Sequence, residues 1–407
     1  MTSLRTSRAQ PRDDRSWRPQ SWRESPAAQQ PQWPDQAAAD AVLRRVGELP
    51  GLVAGWECAD LGRALAGVAA GRGFVLQGGD CAETFGTLSA IGLHSRCRLL
   101  SSMAHTVTAG SGLPAVMIGR IAGQYAKPRS SATEDVGDAH LPSYRGDMIN
   151  AAAPDPGARR PDPSRMLTAY FHSAAAMNGL RLRPAGEQPV YASHEALVLG
   201  YEEALARFDP ELGSWTGTSA HLLWIGDRTR APEGAHVRFL SGLANPVAVK
   251  VGPSASLGDV LALCAALDPD RTPGRLTLIT RLGAPAVAAA LPPLIRAVRA
   301  AGHPVVWVCD PMHGNTRRTK SGYKTRDVSV ICAEIRGFFT AHRECGTHPG
   351  GVHLELAGEH VTECVGGCVN PVAEDKVPHA YQTACDPRLS PAQALECAAV
   401  VAAELNR

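Results

Sequence analysis

Two groups of side chains in this sequence have the chemistry of a reactive site. The first is a set of six cations, Arg120, Lys127, Arg129, Arg228, Lys250 and Arg281. Guanidinium groups match the geometry of phosphate and carboxylate, and lysine adds a point charge. Any one of them alone is explained as a solvated loop charge. Together, in a chain whose net charge is only +2, they predict a strongly anionic ligand that carries more than one phosphate.

The second group contains metal-binding donors: one thiol, one imidazole and two carboxylates. These donors are Cys81, His313, Glu355 and Asp386. Such a mixed soft and hard set suits Mn, Fe, Co or Zn and fits Mg or Ca poorly. The spacing does not establish the set, because the donors lie far apart in the sequence. Cys81 is otherwise a small buried hydrophobe and His313 a turn residue, and His353 competes because it alternates with Glu355 on one strand.

Eight short apolar runs provide the frame that would bring these groups together. The predicted strands are residues 74–77, 115–120, 190–194, 221–225, 247–251, 276–281, 305–309 and 352–356. Their continuous apolar character is typical of strands that are buried on both faces. Strand–helix alternation predicts a parallel sheet, and eight repeats close it into an α/β structure, a (β/α)8 TIM barrel. An open doubly wound sheet is the alternative.

Helices are predicted between the strands, and the candidate site residues fall where the strands end. The predicted helices are 92–108, 162–177, 194–207, 284–301, 326–342 and 391–405, with shorter ones after the fourth and fifth strands. In barrel enzymes the catalytic groups occupy the carboxyl ends of the strands and the loops that follow. The two groups of side chains are therefore expected at one mouth of the barrel.

The domain organisation follows from the same pattern. Residues 71–407 form the predicted catalytic barrel, and residues 1–70 form an N-terminal extension with a helix at 35–46 and a disordered tail of about twenty residues. The extension either closes the end of the barrel where the strands begin or joins subunits, and the sequence does not decide between these two roles. The long polar segment 130–161 is expected to be a functional or flexible loop.

The composition excludes several classes of protein. A nearly neutral chain does not present a general nucleic-acid or membrane surface, and no apolar run reaches membrane-spanning length. The polar start lacks the apolar core of a secretory signal. Eleven cysteines without zinc-ribbon spacing indicate reduced thiols, so we expect a cytoplasmic protein.

Several long motifs resemble those of the class II 3-deoxy-7-phosphoheptulonate (DAHP) synthases. They include Gly-Gly-Asp-Cys-Ala-Glu-Thr-Phe at 78–85, Arg-Ile-Ala-Gly-Gln-Tyr-Ala-Lys-Pro-Arg at 120–129 and Ser-Tyr-Arg-Gly-Asp-Met-Ile-Asn at 143–150. The resemblance begins at Pro-Ala-Ala-Gln-Gln-Pro, 26–31, and continues through 191–195, 310–316, 347–355 and 383–388. It spans nearly the whole chain.

This resemblance implies a reaction and a role for each candidate residue. The reaction is the metal-dependent condensation of phosphoenolpyruvate with erythrose 4-phosphate and water, which gives DAHP and phosphate in the first step of the shikimate pathway. Arg120, Trp224, Asp227, Arg228, Lys250 and Arg281 would bind phosphoenolpyruvate, whereas Lys127, Arg129 and Ser130 would bind the sugar phosphate. Cys81, His313, Glu355 and Asp386 would hold Mn2+ or Co2+, with Zn2+ or Fe2+ as alternatives. Glu195, Lys250, His313 and Cys81 would act in catalysis.

The resemblance also implies finer properties and leaves alternatives. Asp227 replaces the usual Glu of the motif at 224–230, so a hydrogen bond there is expected to be longer or re-aimed. The short segment 178–189 leaves no room for the helical pair that carries feedback sites in longer members, as in members that serve antibiotic and phenazine pathways. A homo-oligomer, dimeric or tetrameric, and a chorismate mutase partner are expected. The alternatives are an aminoDAHP synthase that uses an imino substrate, a metal-dependent hydrolase and a non-catalytic barrel scaffold.

Overall fold

The computed structural model describes residues 17–137, 139–182 and 187–407. Its strands are β1 (Phe74–Gly79), β2 (Ala115–Arg120), β3 (Thr133–Val136), β4 (Ala139–Pro142), β5 (Val190–Glu195), β6 (Ala206–Asp209), β7 (Ser214–Gly217), β8 (Leu222–Ile225), β9 (Val247–Val251), β10 (Leu276–Thr280), β11 (Val306–Cys309), β12 (Arg317–Arg318), β13 (Lys324–Thr325) and β14 (Gly351–Glu355). Eight of them close into a parallel barrel in the order β1-β14-β11-β10-β9-β8-β5-β2. The predicted TIM barrel is confirmed, and the open sheet is excluded.

The helices pack around this barrel. They are α1 (Gln36–Glu48), α2 (Gly55–Ala69), α3 (Ala90–Ser111), α4 (Ser164–Arg181), α5 (Leu199–Ala204), α6 (Ala235–Ser241), α7 (Leu257–Leu267), α8 (Val287–Ala300), α9 (Val328–Cys345) and α10 (Pro391–Leu405). Asp35 caps α1 by accepting a hydrogen bond from the backbone N–H of Ala38. Among the described residues, no helix combines the length and apolar character needed to cross a membrane.

The predicted helix at 194–207 is wrong over most of its length. His194 and Glu195 complete β5, only Leu199–Ala204 is helical, and Ala206–Asp209 begins a hairpin with β7. The physical reason is a tertiary contact, because the backbone N–H of Ala196 donates to the carbonyl of Trp224 at 3.0 Å and holds the chain extended there. A second hairpin, β3–β4, lies inside the long loop at 130–161.

Helix α2 packs where the barrel strands begin. Its side chains Leu61, Leu65 and Val68 lie in one buried cluster with inward-facing strand residues, among them Val75 and Val306. Burying apolar surface here stabilises the barrel from its amino-terminal end. This end therefore serves as the structural floor, and the opposite mouth remains for the polar side chains.

The expected disordered tail lies largely outside the described part of the chain, which excludes residues 1–16. From Trp17 onward the extension contacts the barrel. The indole Nε1 of Trp17 donates to the carbonyl of Arg238 at 2.8 Å, and its ring lies 6.4 Å from that of Phe239.

Candidate active site

The carboxyl ends of the barrel strands surround a cavity of about 260 Å³. All fourteen side chains predicted for the site line this cavity: Cys81, Arg120, Lys127, Arg129, Ser130, Glu195, Trp224, Asp227, Arg228, Lys250, Arg281, His313, Glu355 and Asp386. Gln124, Pro128, Gly226, Thr316 and Lys324 complete its wall. A larger crevice of about 450 Å³ lies at the other end of the barrel, but no carboxylate lines it. The cations and the candidate metal donors therefore meet in one place.

Three of the four predicted metal donors form a compact cluster. In the described part of the chain, Cys81, Glu355 and Asp386 each offer one donor atom, and these three atoms lie within 4.8 Å of one another. The fourth, His313, adjoins the cluster through Glu355, because its Nε2 lies 3.2 Å from Oε1 of that carboxylate. The barrel thus brings together residues that lie up to 305 positions apart in the sequence, as for Cys81 and Asp386.

The electrostatics of this cluster favour a bound cation. The ammonium of Lys127 donates to Sγ of Cys81 at 2.5 Å and also to the carboxylate of Asp386. Burial opposes ionisation of Asp386, yet Lys127 beside it holds the pKa of that carboxyl well below its usual range. Burial raises the pKa of the Cys81 thiol, so its thiolate form needs a positive charge close by.

Asp310 orients two of the predicted residues at once. This carboxylate is fully buried and accepts hydrogen bonds from Nδ1 of His313 at 2.7 Å and from the ammonium of Lys250. With Nδ1 engaged, Nε2 is the ring nitrogen of His313 that faces Glu355 in the donor cluster. Burial lowers the pKa of Lys250 to about 8, against the opposing effect of Asp310. The sequence analysis did not select Asp310, although it opens the motif that contains His313.

His353, the competing donor, lies outside the cluster of Cys81, Glu355 and Asp386 in the described part of the chain, and both of its ring nitrogens are bonded to other side chains. Arg120 donates through Nη1 to Nε2 of His353 at 2.7 Å, so Nδ1 carries the proton and donates to Gln77 at 2.8 Å. Burial together with Lys250 and Arg120 holds the pKa of this imidazole well below its usual range. The guanidinium of Arg120 also lies 5.2 Å from the ring centroid of Trp224. His353 therefore fixes the orientation of Arg120.

Asp227 links one of the predicted cations, Arg281, and a further arginine, Arg230, to the strand framework. Its carboxylate accepts from the backbone N–H of Gly252 at 3.0 Å, from Nε of Arg230 at 2.9 Å and from Nη1 of Arg281 at 3.4 Å. The bond to Arg281 is the longest of the three. Nε of Arg281 is buried without a hydrogen-bond partner among the described residues, and Arg228 is exposed.

Glu195 is the carboxylate that extends into the cavity from β5. Its Oε1 is buried and has no hydrogen-bond partner among the described residues. Burial raises the pKa of Glu195, against the opposing effects of Lys250 and Arg120. A Cβ atom on Gly226 would lie 2.0 Å from Oε1 of Glu195, so a larger residue at that position would have to displace the carboxylate of Glu195. These features suit a carboxylate that exchanges a proton with a bound molecule.

The remaining predicted residues form one side of the cavity. The side chain of Arg129 is 20% exposed and contacts the carboxylate of Glu134 on β3, while Ser130 is exposed beside it. Lys324, which the sequence analysis did not identify, donates to Asp386 at 2.8 Å from the β12–β13 hairpin. The sequence around Lys324 does not distinguish it from other loop lysines. Its position at the cavity depends on the antiparallel pairing of β12 with β13, two strands of only two residues each.

Comparisons with known proteins agree with this geometry. The model of the class-II DAHP synthetase family matches residues 17–189 and 183–402. A phospho-2-dehydro-3-deoxyheptonate aldolase of Streptomyces coelicolor is 40% identical over 432 residues, which cover 94% of this chain and 96% of that protein. The phospho-2-dehydro-3-deoxyheptonate aldolase AroG of Mycolicibacterium smegmatis is 43% identical over 436 residues, which cover 94% of this chain and 93% of that protein.

Proposed function

The chain belongs to the class-II DAHP synthetase family, and from this premise we propose how its cavity condenses phosphoenolpyruvate with erythrose 4-phosphate. One observation carries the proposal. A single cavity collects the six predicted cations and Lys324, four candidate metal donors and a buried carboxylate without a hydrogen-bond partner among the described residues. Two polyanionic substrates repel each other, and a ring of fixed cations holds them at reacting distance.

The phosphoenolpyruvate end of the cavity lies at β2, β8, β9 and β10. Arg120, Arg228, Lys250 and Arg281 supply its cations, and Trp224 forms an apolar wall. Lys250 is buried, and its pKa of about 8 keeps it protonated at neutral pH. These groups bind the carboxylate and phosphate of phosphoenolpyruvate and leave the enol carbon facing the second substrate.

The sugar-phosphate end lies at the loop that follows β2. Arg129 and Ser130 bind the phosphate of erythrose 4-phosphate, and Lys127 lies between them and the metal donors. This placement sets the aldehyde between the donor cluster and the enol carbon of the first substrate.

A divalent metal ion, Mn2+ or Co2+, fits the donor set of Cys81, His313, Glu355 and Asp386. The fit is supported by the three clustered donor atoms and by the Lys127 ammonium, a positive charge that contacts two of them. His313 and Arg326 outweigh burial and hold the pKa of Glu355 well below its usual range, so this carboxylate is ionised. When bound, the ion supplies Lewis-acid polarisation of the aldehyde.

The side chains then assist each step of the condensation. The enol carbon of phosphoenolpyruvate attacks the aldehyde carbon, a C–C bond forms, and the aldehyde oxygen takes up a proton to become a hydroxyl. Positive charge develops at the enol ether carbon, where water adds. Glu195 accepts a proton from this water, a role that its raised pKa supports. The C–O bond to phosphate then breaks, and the added hydroxyl loses its second proton to the departing phosphate and becomes the ketone of DAHP.

The test is phosphate release from phosphoenolpyruvate by the purified enzyme with Mn2+ or Co2+. Release should require erythrose 4-phosphate, stop when a chelator is added and return with excess metal. Arg281→Ala should weaken phosphoenolpyruvate handling, whereas Arg296→Ala, an exposed arginine on α8, serves as the matched control. Unchanged KM and kcat in Arg281→Ala would remove that residue from the site.

Two finer properties belong to the same proposal. The connection between α4 and β5 consists of residues 182–189, which is too short for a helical pair, and this supports an enzyme without the usual aromatic-amino-acid feedback insert. An enzyme without this feedback suits a pathway that makes a secondary metabolite.

The substrate is tested separately. Mass analysis of the product from erythrose 4-phosphate and from its imino analogue distinguishes DAHP from aminoDAHP formation. Sedimentation of the enzyme alone tests the proposed homo-oligomer, and sedimentation of its mixture with a chorismate mutase tests binding of that partner.

A further inference from the structure

The motif at 26–31 forms an arm that lies on loops of the catalytic face. The carbonyl of Pro26 accepts from the backbone N–H of Ala235 at 3.1 Å. The side-chain amide of Gln30 donates to the carbonyl of Leu197 at 2.7 Å and accepts from the N–H of Leu199 at 3.0 Å. The arm is therefore attached to the loop after β5, although about 170 residues separate them in the sequence.

Gln29 makes a matching two-point contact with the loop after β2. Its Oε1 accepts from the backbone N–H of Arg129 at 3.0 Å, and its Nε2 donates to the carbonyl of the same residue at 3.1 Å. A side-chain amide thus satisfies both main-chain groups of Arg129. These groups lie in a loop, where no strand neighbour would otherwise bind them.

The backbone of Gln29 is held in an uncommon conformation. Its φ is 61°, in the left-handed region that residues other than glycine rarely adopt. Arg145 donates to the carbonyl oxygens of both Gln29 and Gln30, and its own carbonyl accepts from the N–H of Lys127 at 2.9 Å. Such strain persists where surrounding contacts fix the residue, and here they fix it against the loop that contains Lys127 and Arg129.

Arg129 is consequently held from two directions. Gln29 holds its main chain, and the carboxylate of Glu134 on β3 binds its guanidinium. Glu134 is fixed in turn by Arg159 and by the backbone N–H of Tyr144 at 2.9 Å. Arg129 also lines the cavity, where a phosphate would accept hydrogen bonds from its remaining guanidinium N–H groups.

We propose that Gln29 is a positioning residue for the sugar-phosphate end of the active site, acting through the main chain of Arg129. The inference rests on the proposed function, because it assigns Arg129 to the phosphate of erythrose 4-phosphate. It gives the N-terminal arm a role in recognising one of the two substrates. Within the described part of the chain, Gln29 makes no hydrogen bond to the residues assigned to phosphoenolpyruvate.

The test compares Gln29→Gly, Arg129→Ala and the control Gln36→Ala in the full-length enzyme. Glycine removes the amide yet adopts a positive φ without strain, so the fold is spared. Gln36 is an exposed glutamine of the same extension that donates to Asp40. Gln29→Gly should raise KM for erythrose 4-phosphate about tenfold, equivalent to about 1.4 kcal/mol. KM for phosphoenolpyruvate and the unfolding temperature should change little.

The outcomes separate this inference from the proposal beneath it. If Arg129→Ala raises KM for erythrose 4-phosphate and Gln29→Gly does not, the role of Gln29 is refuted and the substrate assignment stands. If Arg129→Ala leaves that KM unchanged, the assignment of Arg129 is wrong and the role of Gln29 ends with it. Equal increases in both KM values, or a lower unfolding temperature with unchanged KM, would show a general structural role and overturn the inference.

Discussion

Replacing Asp310 with asparagine removes the buried negative charge that Lys250 and His313 share. Asparagine keeps the size of the side chain and an oxygen for the backbone N–H of Met312, which donates to Asp310 at 3.0 Å. Asparagine lacks, however, the negative charge that neutralises the Lys250 ammonium. Because Asp310 opposes the effect of burial on Lys250, the pKa of that lysine should fall below its present value of about 8.

The magnitude follows from the loss of one protonated lysine at the phosphoenolpyruvate end. A hydrogen bond to a charged group contributes about 1.5–3 kcal/mol, so KM for phosphoenolpyruvate at neutral pH should rise roughly ten- to hundredfold. Removing one partner of a buried ion pair also destabilises the fold by about 3–5 kcal/mol. The unfolding temperature must therefore be measured beside the kinetics.

The assay is a steady-state pH profile of phosphoenolpyruvate consumption from about pH 6 to about pH 9. Lysine binds as a cation, so in the natural enzyme kcat/KM should fall as pH rises through about 8. In Asp310→Asn the fall should begin at lower pH, and acidification should partly restore activity. Asp375→Asn, at a carboxylate that is 73% exposed, is the matched control. A profile of Asp310→Asn that coincides with that of the natural enzyme would refute the pairing of Asp310 with Lys250.

Other perturbations test other parts of the site. Gly226→Ala places Cβ about 2.0 Å from Oε1 of Glu195 and should lower kcat at least tenfold with KM values less affected; an active variant would show that Glu195 can move aside. Burial raises the pKa of Glu334 to about 7, so the protonated carboxyl stabilises the folded state at low pH. This contribution to the free energy of unfolding, up to about 3 kcal/mol, is lost as pH rises from about 4.5 through 7. Glu334→Gln should therefore flatten the dependence of unfolding temperature on pH in that range, and equal slopes would contradict it. Tryptophan and phenylalanine should not inhibit through a helical insert, so strong inhibition in steady-state assays would overturn that proposal. Cys385 lies within hydrogen-bonding reach of the Cys81 thiol, so air oxidation of metal-free enzyme should link them in a disulfide; peptide mapping that finds both thiols free would end this expectation.

The sequence predicted the barrel well because its strands are buried on both faces. Residues 115–120 and 247–251 match β2 and β9 in full, and the other six strands differ by one or two residues at an end. Helix α2 was missed, although Leu61, Leu65 and Val68 have helical spacing. Gly62 and Gly67, which have low helix propensity, interrupt a segment whose burial depends on the closed barrel.

The site was predictable in its membership and less so in its arrangement. Strand ends alone left His353 as a competitor of His313, and the resemblance selected His313. The structure adds the contacts of the two rings. His353 bonds to Arg120 and Gln77, whereas His313 lies between Asp310 and Glu355. The role of Gln29 was equally hidden, because it depends on the main chain of a residue about 100 positions away.

Helix α2 also constrains how the chain reaches its native state. During synthesis this helix leaves the ribosome before every strand against which it packs, and Val306 follows Leu65 by about 240 residues. Its apolar stripe therefore stays without its final partners until most of the polypeptide has been made. Low expression temperature or chaperone supply should raise the yield of folded protein, and chains that stop short of β11 should aggregate through this stripe.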